Sequence, residues 1–231
     1  MKTKPTGYVL WERHGIVCIV TGFGGSANRK TGEMLQTYIL VADVAPATAR
    51  RTGQDARICG DCPRVWCYVA LHQAPTSVYL KYRRGGYPPI DWCALRGRSI
   101  RLGSYGDPAC VPASIWDRVV AECAAAIGYT HQWRQHWVQP LKQYLMASVD
   151  SVAEQCEAAA AGWRTFRIRL ADQPAFADEV VCPASDEAGH RTTCSRCLFC
   201  CGSGKRGKSV VINAHGRRAT QFALKSAMPC D

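Results

Sequence analysis

Three cysteines fall within nine residues in Cys59-Gly-Asp-Cys62-Pro-Arg-Val-Trp-Cys67, a C-x2-C-x4-C pattern. Glycine and proline between them free the loop from helix or strand geometry, so all three thiolates can turn toward one metal centre. A second group joins Cys182-Pro to Cys194-Ser-Arg-Cys197-Leu-Phe-Cys200-Cys201 and supplies four ligands, with Cys201 as the spare. Four thiolates close a coordination sphere, whether of tetrahedral zinc or of a 4Fe-4S cluster, and spacing does not choose between the metals. Three leave one position open. Chemistry is therefore expected at Cys59, Cys62 and Cys67, while Cys182, Cys194, Cys197 and Cys200 stabilise the fold or relay electrons. If the first site is simply zinc, Cys93 and His72 are the candidate fourth ligands. The competing reading is of separately buried thiols, which is how Cys18, Cys93, Cys110, Cys123, Cys156 and Cys230 are read.

The chain that carries these loops has 231 residues, 47% of them apolar and 20% charged, and a net charge of +11. That is enough apolar chain for a real core, and it excludes a disordered tail or a disulfide miniprotein. Glu12, Arg13 and His14 interrupt the first twenty residues, so a secretory leader is not expected there. No apolar run approaches the roughly 18 residues of a membrane span. These points imply a cytoplasmic protein with no membrane partner, in a reducing compartment where clustered cysteines bind metals.

Strands are expected at 15–20 and 37–41 around a Gly-rich loop, 22–32, whose Lys30-Thr31 lacks phosphate-loop spacing. After the first cysteine loop come a helix over 68–84 and a strand at 99–102. Then follow Gly103-Ser-Tyr-Gly-Asp-Pro108, a helix from a Ser114/Asp117 capping box to Gly128, and a strand at 129–133. A strand at 144–147, a helix at 151–161 capped by Ser151 and Glu154, a strand at 163–170 and a last strand at 209–213 complete the order. Alternating strands and helices predict an α/β fold with a mainly parallel sheet. Either an incomplete (β/α) barrel or an open doubly wound sheet suits it. Three segments are expected: 1–50 as an N-terminal β extension, 51–181 as the (β/α) core with the first cysteine loop, and 182–231 as the second cysteine cluster and last strand.

In either fold the chemistry sits at the C-terminal strand ends. There the sequence places Asp107, His131, Ser148, Asp150, Arg167 or Arg169, and His215. Asp107 and His131 are the candidate catalytic residues; helix caps, a solvated strand face and a core histidine are the bland alternatives. Basic residues gather beside aromatics at 79–84, and again at Lys205-Arg-Gly-Lys208 and Arg217-Arg218, which suits a nucleic-acid or nucleotide substrate.

A cysteine loop that leads into a helix and is followed by a strand ending in Gly-Asp is similar to the layout of radical S-adenosylmethionine enzymes. The resemblance implies that Cys59, Cys62 and Cys67 hold a 4Fe-4S cluster with an open iron. It also implies that Gly103, Gly106 and Asp107 lie near S-adenosylmethionine, with Ser148 and Asp150 as further cofactor contacts and an electron donor protein as partner. The spacing departs from the usual C-x3-C-x2-C, Trp66 takes the aromatic position before the last cysteine, and the glycine motif ends in Asp rather than Glu. The motifs Ile58-Cys-Gly-Asp-Cys-Pro63, Arg101-Leu-Gly-Ser-Tyr-Gly-Asp-Pro108, Gly128-Tyr-Thr-His-Gln-Trp133, Met146-Ala-Ser-Val-Asp-Ser151, Gly162-Trp-Arg-Thr-Phe-Arg167 and Cys182-Pro with Thr193–Cys200 resemble a group of uncharacterised bacteriophage and plasmid proteins. The expected function is then an iron–sulfur enzyme of a mobile element, with one or two clusters. The alternative is a zinc-stabilised nucleic-acid-binding protein without catalysis, and a metal-dependent hydrolase using Asp107, His131 and His215 is a weaker third.

Overall fold

The structure is a computed structural model and describes residues 4–25, 28–215 and 219–226. Gly216, Arg217, Arg218 and Cys230 lie outside the described residues. Nine strands form a sheet in the order β1-β2-β3-β4-β5-β6-β7-β9-β8. β1 (Gly7–Arg13), β2 (Ile16–Thr21) and β3 (Leu35–Val41) are antiparallel neighbours. From β3 onward every pairing is parallel, through β4 (Ser99–Tyr105), β5 (Ala125–Thr130), β6 (Met146–Val149), β7 (Thr165–Arg169), β9 (Ser209–Asn213) and the edge strand β8 (Glu179–Val181). One sheet thus runs through all three expected segments.

Up to β7 each new strand is added on the same side of the last. A doubly wound sheet reverses its strand order near the middle, so that alternative is set aside. Right-handed crossovers added in one direction put the connecting helices on one face. Those helices are α1 (Pro46–Thr52), α2 (Ala56–Cys59) and α3 (Ala74–Arg83) between β3 and β4, α4 (Ala113–Glu122) before β5, and α5 (Val152–Ala160) before β7. Ala49, Val78, Trp116, Val119 and Ala158 from them pack on Ile100, Leu102, Leu145, Ala147 and Val149 in the larger core. The opposite face carries a smaller core, in which Ile127, Met146, Phe166, Val210 and Ile212 meet Met34, Cys182, Ala184 and Cys200. The second cysteine loop covers that face, with α6 (Cys194–Cys197) within it and α7 (Ala219–Ser226) at the end of the described chain.

Ser151 caps α5 as expected, its Oγ accepting from the Glu154 N–H at 3.1 Å while Glu154 accepts from the Asp150 N–H at 2.8 Å. Several boundaries differ from expectation. α3 starts at Ala74, not 68. Pro112, not Ser114, precedes α4, and Asp117 accepts from the Tyr144 hydroxyl at 2.8 Å instead of capping. The run 125–128, expected as the end of that helix, belongs to β5, because Gly128 is pressed between Leu102 and Leu145 in the sheet. The β5-to-β6 crossover is a 3-10 segment, His136–Gln143, rather than an α-helix.

Candidate active site

Strand side chains alternate between faces, and that alternation assembles the site. Arg101, Gly103 and Tyr105 of β4, Tyr129 of β5, Ser148 of β6, and Phe166 and Ile168 of β7 share the face away from the helices. Asp107, His131 and Asp150 continue the same rows just past the strand ends. With Cys59, Cys62 and Cys67 these residues line one cavity of about 110 Å³, to which Gly106 also belongs. Every residue expected at the first constellation is therefore brought together.

Cys59 ends α2 and is buried; Cys62 and Cys67 follow in the turns beyond. Asp55, 1% exposed, clamps that loop by accepting from Arg64 Nη1 at 2.7 Å and Arg50 Nη1 at 3.3 Å. Gly103 and Gly106 both have positive φ, 71° and 77°. A Cβ at Gly103 would sit 2.6 Å from Pro108 and one at Gly106 2.7 Å from Ile39. The turn's own packing thus demands glycine at both positions.

Asp107 is 7% exposed. Its Oδ1 accepts from the Ala109 N–H at 2.9 Å and the Thr130 hydroxyl at 2.7 Å, and its Oδ2 from the His131 N–H at 2.9 Å. A carboxylate so engaged fixes the ends of β4 and β5; burial nonetheless raises its pKa above the usual value, against those hydrogen bonds. His131 Nε2 stands 3.4 Å from Asp150 Oδ2. Burial pushes His131 down, but the neighbouring Cys62 sulfur and Asp150 carboxylate outweigh it and hold the imidazole pKa well above its ordinary range. Tyr105 Oη and Asp150 Oδ1 are buried without hydrogen-bond partners. Each such atom costs about 1–3 kcal/mol, so two in one small cavity mark a place shaped for a polar ligand.

Among the described residues, no group of three or more His, Cys, Asp or Glu side chains is closed tightly enough to hold a metal ion. The three sulfurs nevertheless face one space. Burial pushes the Cys59 thiol up, and Cys62, Asp55, Cys67 and Asp107 add to the shift; a bound cation would reverse that preference by taking the thiolates. Neither Cys93 nor His72 lines the cavity, and both are exposed. Cys59, Cys62 and Cys67 are the donors that a metal centre in this cavity would draw on, although this structure does not gather them into one.

Cys182, Cys194, Cys197 and Cys200 line a second cavity of about 220 Å³, with Lys30 and His215. The cavities share Tyr68, Arg101, Tyr129, Phe166 and Ile168 as a common wall. Main-chain bonds pin the loop: Cys194 N–H donates to Lys30 O at 2.8 Å, Cys182 N–H to Val211 O at 2.9 Å, and Cys200 O accepts from Gly128 N–H at 3.3 Å. Burial pushes the Cys200 thiol up to about 12. Burial raises Cys194 too, while Arg101 and Lys30 oppose it.

No family model, curated protein or solved structure matches this chain. What the site does is therefore read from its side chains.

Two expectations are corrected. Arg167 does not face the cavity: it is a buried ion-pair partner, with Nε to Glu179 Oε1 at 2.8 Å and Nη2 to Oε2 at 2.6 Å, and it ties β7 to β8. Arg169 donates to the Gln173 carbonyl. His215 lines the second cavity, apart from Asp107 and His131, so the three do not form a hydrolase centre. The 79–84 segment is largely docked, with Lys81 on Thr6, Tyr82 on Glu12 and Arg83 on the Ala42 carbonyl. Lys208 donates to the Ala177 carbonyl. No helix among the described residues is long and apolar enough to cross a membrane. Sequence reasoning missed Tyr68, Arg101, Tyr105, Tyr129 and Phe166. The signal for four of them was the period-two alternation of β4, β5 and β7, which runs on to Asp107 and His131 just past the strand ends.

Proposed function

We propose that this chain is an iron–sulfur enzyme of the radical S-adenosylmethionine type, acting on a nucleotide or nucleic-acid-related substrate. The observation that carries this reading is the convergence of a three-cysteine loop, a glycine turn and two orphaned polar atoms, Tyr105 Oη and Asp150 Oδ1, on one cavity. The cavity lies at the C-terminal ends of sequentially ordered parallel strands, which would be the catalytic end if the sheet is an incomplete (β/α) barrel. Cys59, Cys62 and Cys67 would hold the 4Fe-4S cluster. When bound, the cluster and S-adenosylmethionine supply one-electron chemistry. Asp150 would offer a carboxylate oxygen to the cofactor's ammonium, and His131 beside it would offer a ring nitrogen to its carboxylate. The turn at Gly103 and Gly106 admits the cofactor backbone closely, Asp107 holds that turn in register, and Ser148 supplies a hydroxyl at the cavity floor. The second set, with four cysteines, has no open position and serves as a closed centre.

The zinc-stabilised nucleic-acid-binding reading keeps one observation in its favour, the net charge of +11. Metal and sulfide analysis with an absorption spectrum, on protein purified without air, separates the two. About four to eight irons with matching sulfide, followed by reductive cleavage of S-adenosylmethionine that Cys62→Ala abolishes, is the expected result. One or two zincs and no iron in protein from iron-replete cells overturns the proposal.

A further inference from the structure

The larger cavity has a chemistry of its own. Its described lining contains Lys30, Arg101 and His215 but no Asp or Glu. Arg101 Nε and Asn213 Oδ1 are buried there without partners. Its aromatic wall is the stacked pair Tyr129 and Phe166, with centroids 4.2 Å apart, and Tyr68 tilts over His215 at 5.3 Å. Tyr68 itself is 46% exposed and its hydroxyl accepts from Arg101 Nη2 at 3.2 Å, so it stands between solvent and the guanidinium.

We infer that this cavity binds one nucleotide, with its base against the aromatic wall and its phosphate on Arg101 and Lys30. A guanidinium fork matches phosphate geometry, and stacking on aromatic rings accepts any base. The orphaned Asn213 oxygen is an acceptor for an exocyclic amine on the base edge. At about 220 Å³ the cavity is smaller than the roughly 300–1,000 Å³ of pockets that enclose drug-sized ligands, so it has room for no more than one nucleotide and excludes a duplex. The shared wall of Tyr68, Arg101, Tyr129 and Phe166 places such a ligand next to the Cys59, Cys62 and Cys67 cavity. The inference rests on the functional reading above in calling the ligand a substrate, yet its test needs neither iron nor S-adenosylmethionine, so either can fail alone.

The test is calorimetric titration of the full chain, as purified and after metal loading, with the four nucleoside monophosphates, adenosine, inorganic phosphate and a single-stranded oligonucleotide bearing a 5′-phosphate. The expected result is binding of at least one monophosphate, with adenosine and inorganic phosphate each at least tenfold weaker. Arg101→Met and, independently, Lys30→Met in the loop before β3 should each weaken it, the former at least tenfold. Arg96→Ala, which removes a surface pair with Glu122, should not. Tighter binding of the oligonucleotide than of its terminal monophosphate identifies a strand end as the natural source, and equal binding identifies the free nucleotide. The inference is overturned if no monophosphate binds, if both Met variants bind as the parent does, or if metal loading of the second cysteine set abolishes binding.

Discussion

The main-chain N–H of Asp107 donates to the Ile58 carbonyl at 2.6 Å, so the turn after β4 is bonded directly to the residue that precedes Cys59. The cysteine loop and the glycine turn are thereby one mechanical unit, although some fifty residues of chain separate them. Asp107's side chain extends that unit to Thr130 and His131.

Asp107→Ala should therefore be a stability mutation before it is an activity mutation. It leaves the Thr130 hydroxyl and two N–H groups without an acceptor, a loss of about 2–4 kcal/mol at about 1–3 kcal/mol per unsatisfied group with partial relaxation. Urea denaturation measures it. A change under about 0.5 kcal/mol, the range of ordinary surface substitutions, would contradict the latch role.

Asp150→Asn should behave oppositely. Oδ1 has no partner and Oδ2 only the 3.4 Å contact with His131, so the fold loses that one contact, while an ammonium-bearing ligand loses its carboxylate. A stability loss smaller than that of Asp107→Ala, with at least tenfold weaker S-adenosylmethionine binding, is expected; equal binding by parent and variant would remove Asp150 from the site.

Arg167 and Glu179 have side chains 2% and 0% exposed. Removing one partner of a buried pair costs about 3–5 kcal/mol, whereas replacing both with apolar residues is often neutral. Arg167→Met should thus be severely destabilising, and Arg167→Met with Glu179→Leu should recover most of the loss. A double variant as unstable as the single would show that packing around β8, not the uncompensated charge, dominates.

Stability of the metal-free protein should fall as pH rises. Cys18 is fully buried and burial raises its pKa, as it does for Cys110 and Cys123, both to about 12. Unfolded thiols ionise near roughly 8.5, so above that pH the unfolded chain binds fewer protons than the native one. The stabilisation is complete below about 8.5 and is lost on the way to the folded values, by up to about 1.4 kcal/mol per pH unit for Cys18. Thermal unfolding between pH 7.5 and 10 checks it, and Cys18→Ala should flatten the slope. A melting temperature that rises with pH would refute the assignment.

Cys156 lies exposed on α5. Cys156→Ala should leave iron content and spectrum unchanged, Cys62→Ala should remove the iron of the first centre alone, and Cys197→Ala that of the second. Equal iron loss in both ligand variants would mean that a single centre draws on both loops.

Much of this was legible in the chain. Spacing gave three thiols to one loop and four to another, and polar residues after apolar runs marked strand ends. The 209–213 strand and the Ser151 cap are local features, set by β-branched residues and a hydroxyl acceptor within a few residues of the groups they serve. Tertiary contact decided the rest. Residues 125–130 pair as a strand because Leu102 and Leu145 close on Gly128, overriding a run of alanines that favours helix. Arg167 lies within β7 and His131 just past β5, yet one is paired with Glu179 and the other faces Cys62 and Asp150. No local pattern encodes which carboxylate arrives from twelve or twenty residues away. The sequence by itself determined which side chains alternate onto one face; only the parallel stacking of β4 to β7 decided that those faces, and the cysteine loop bonded to them through Ile58, enclose the same space.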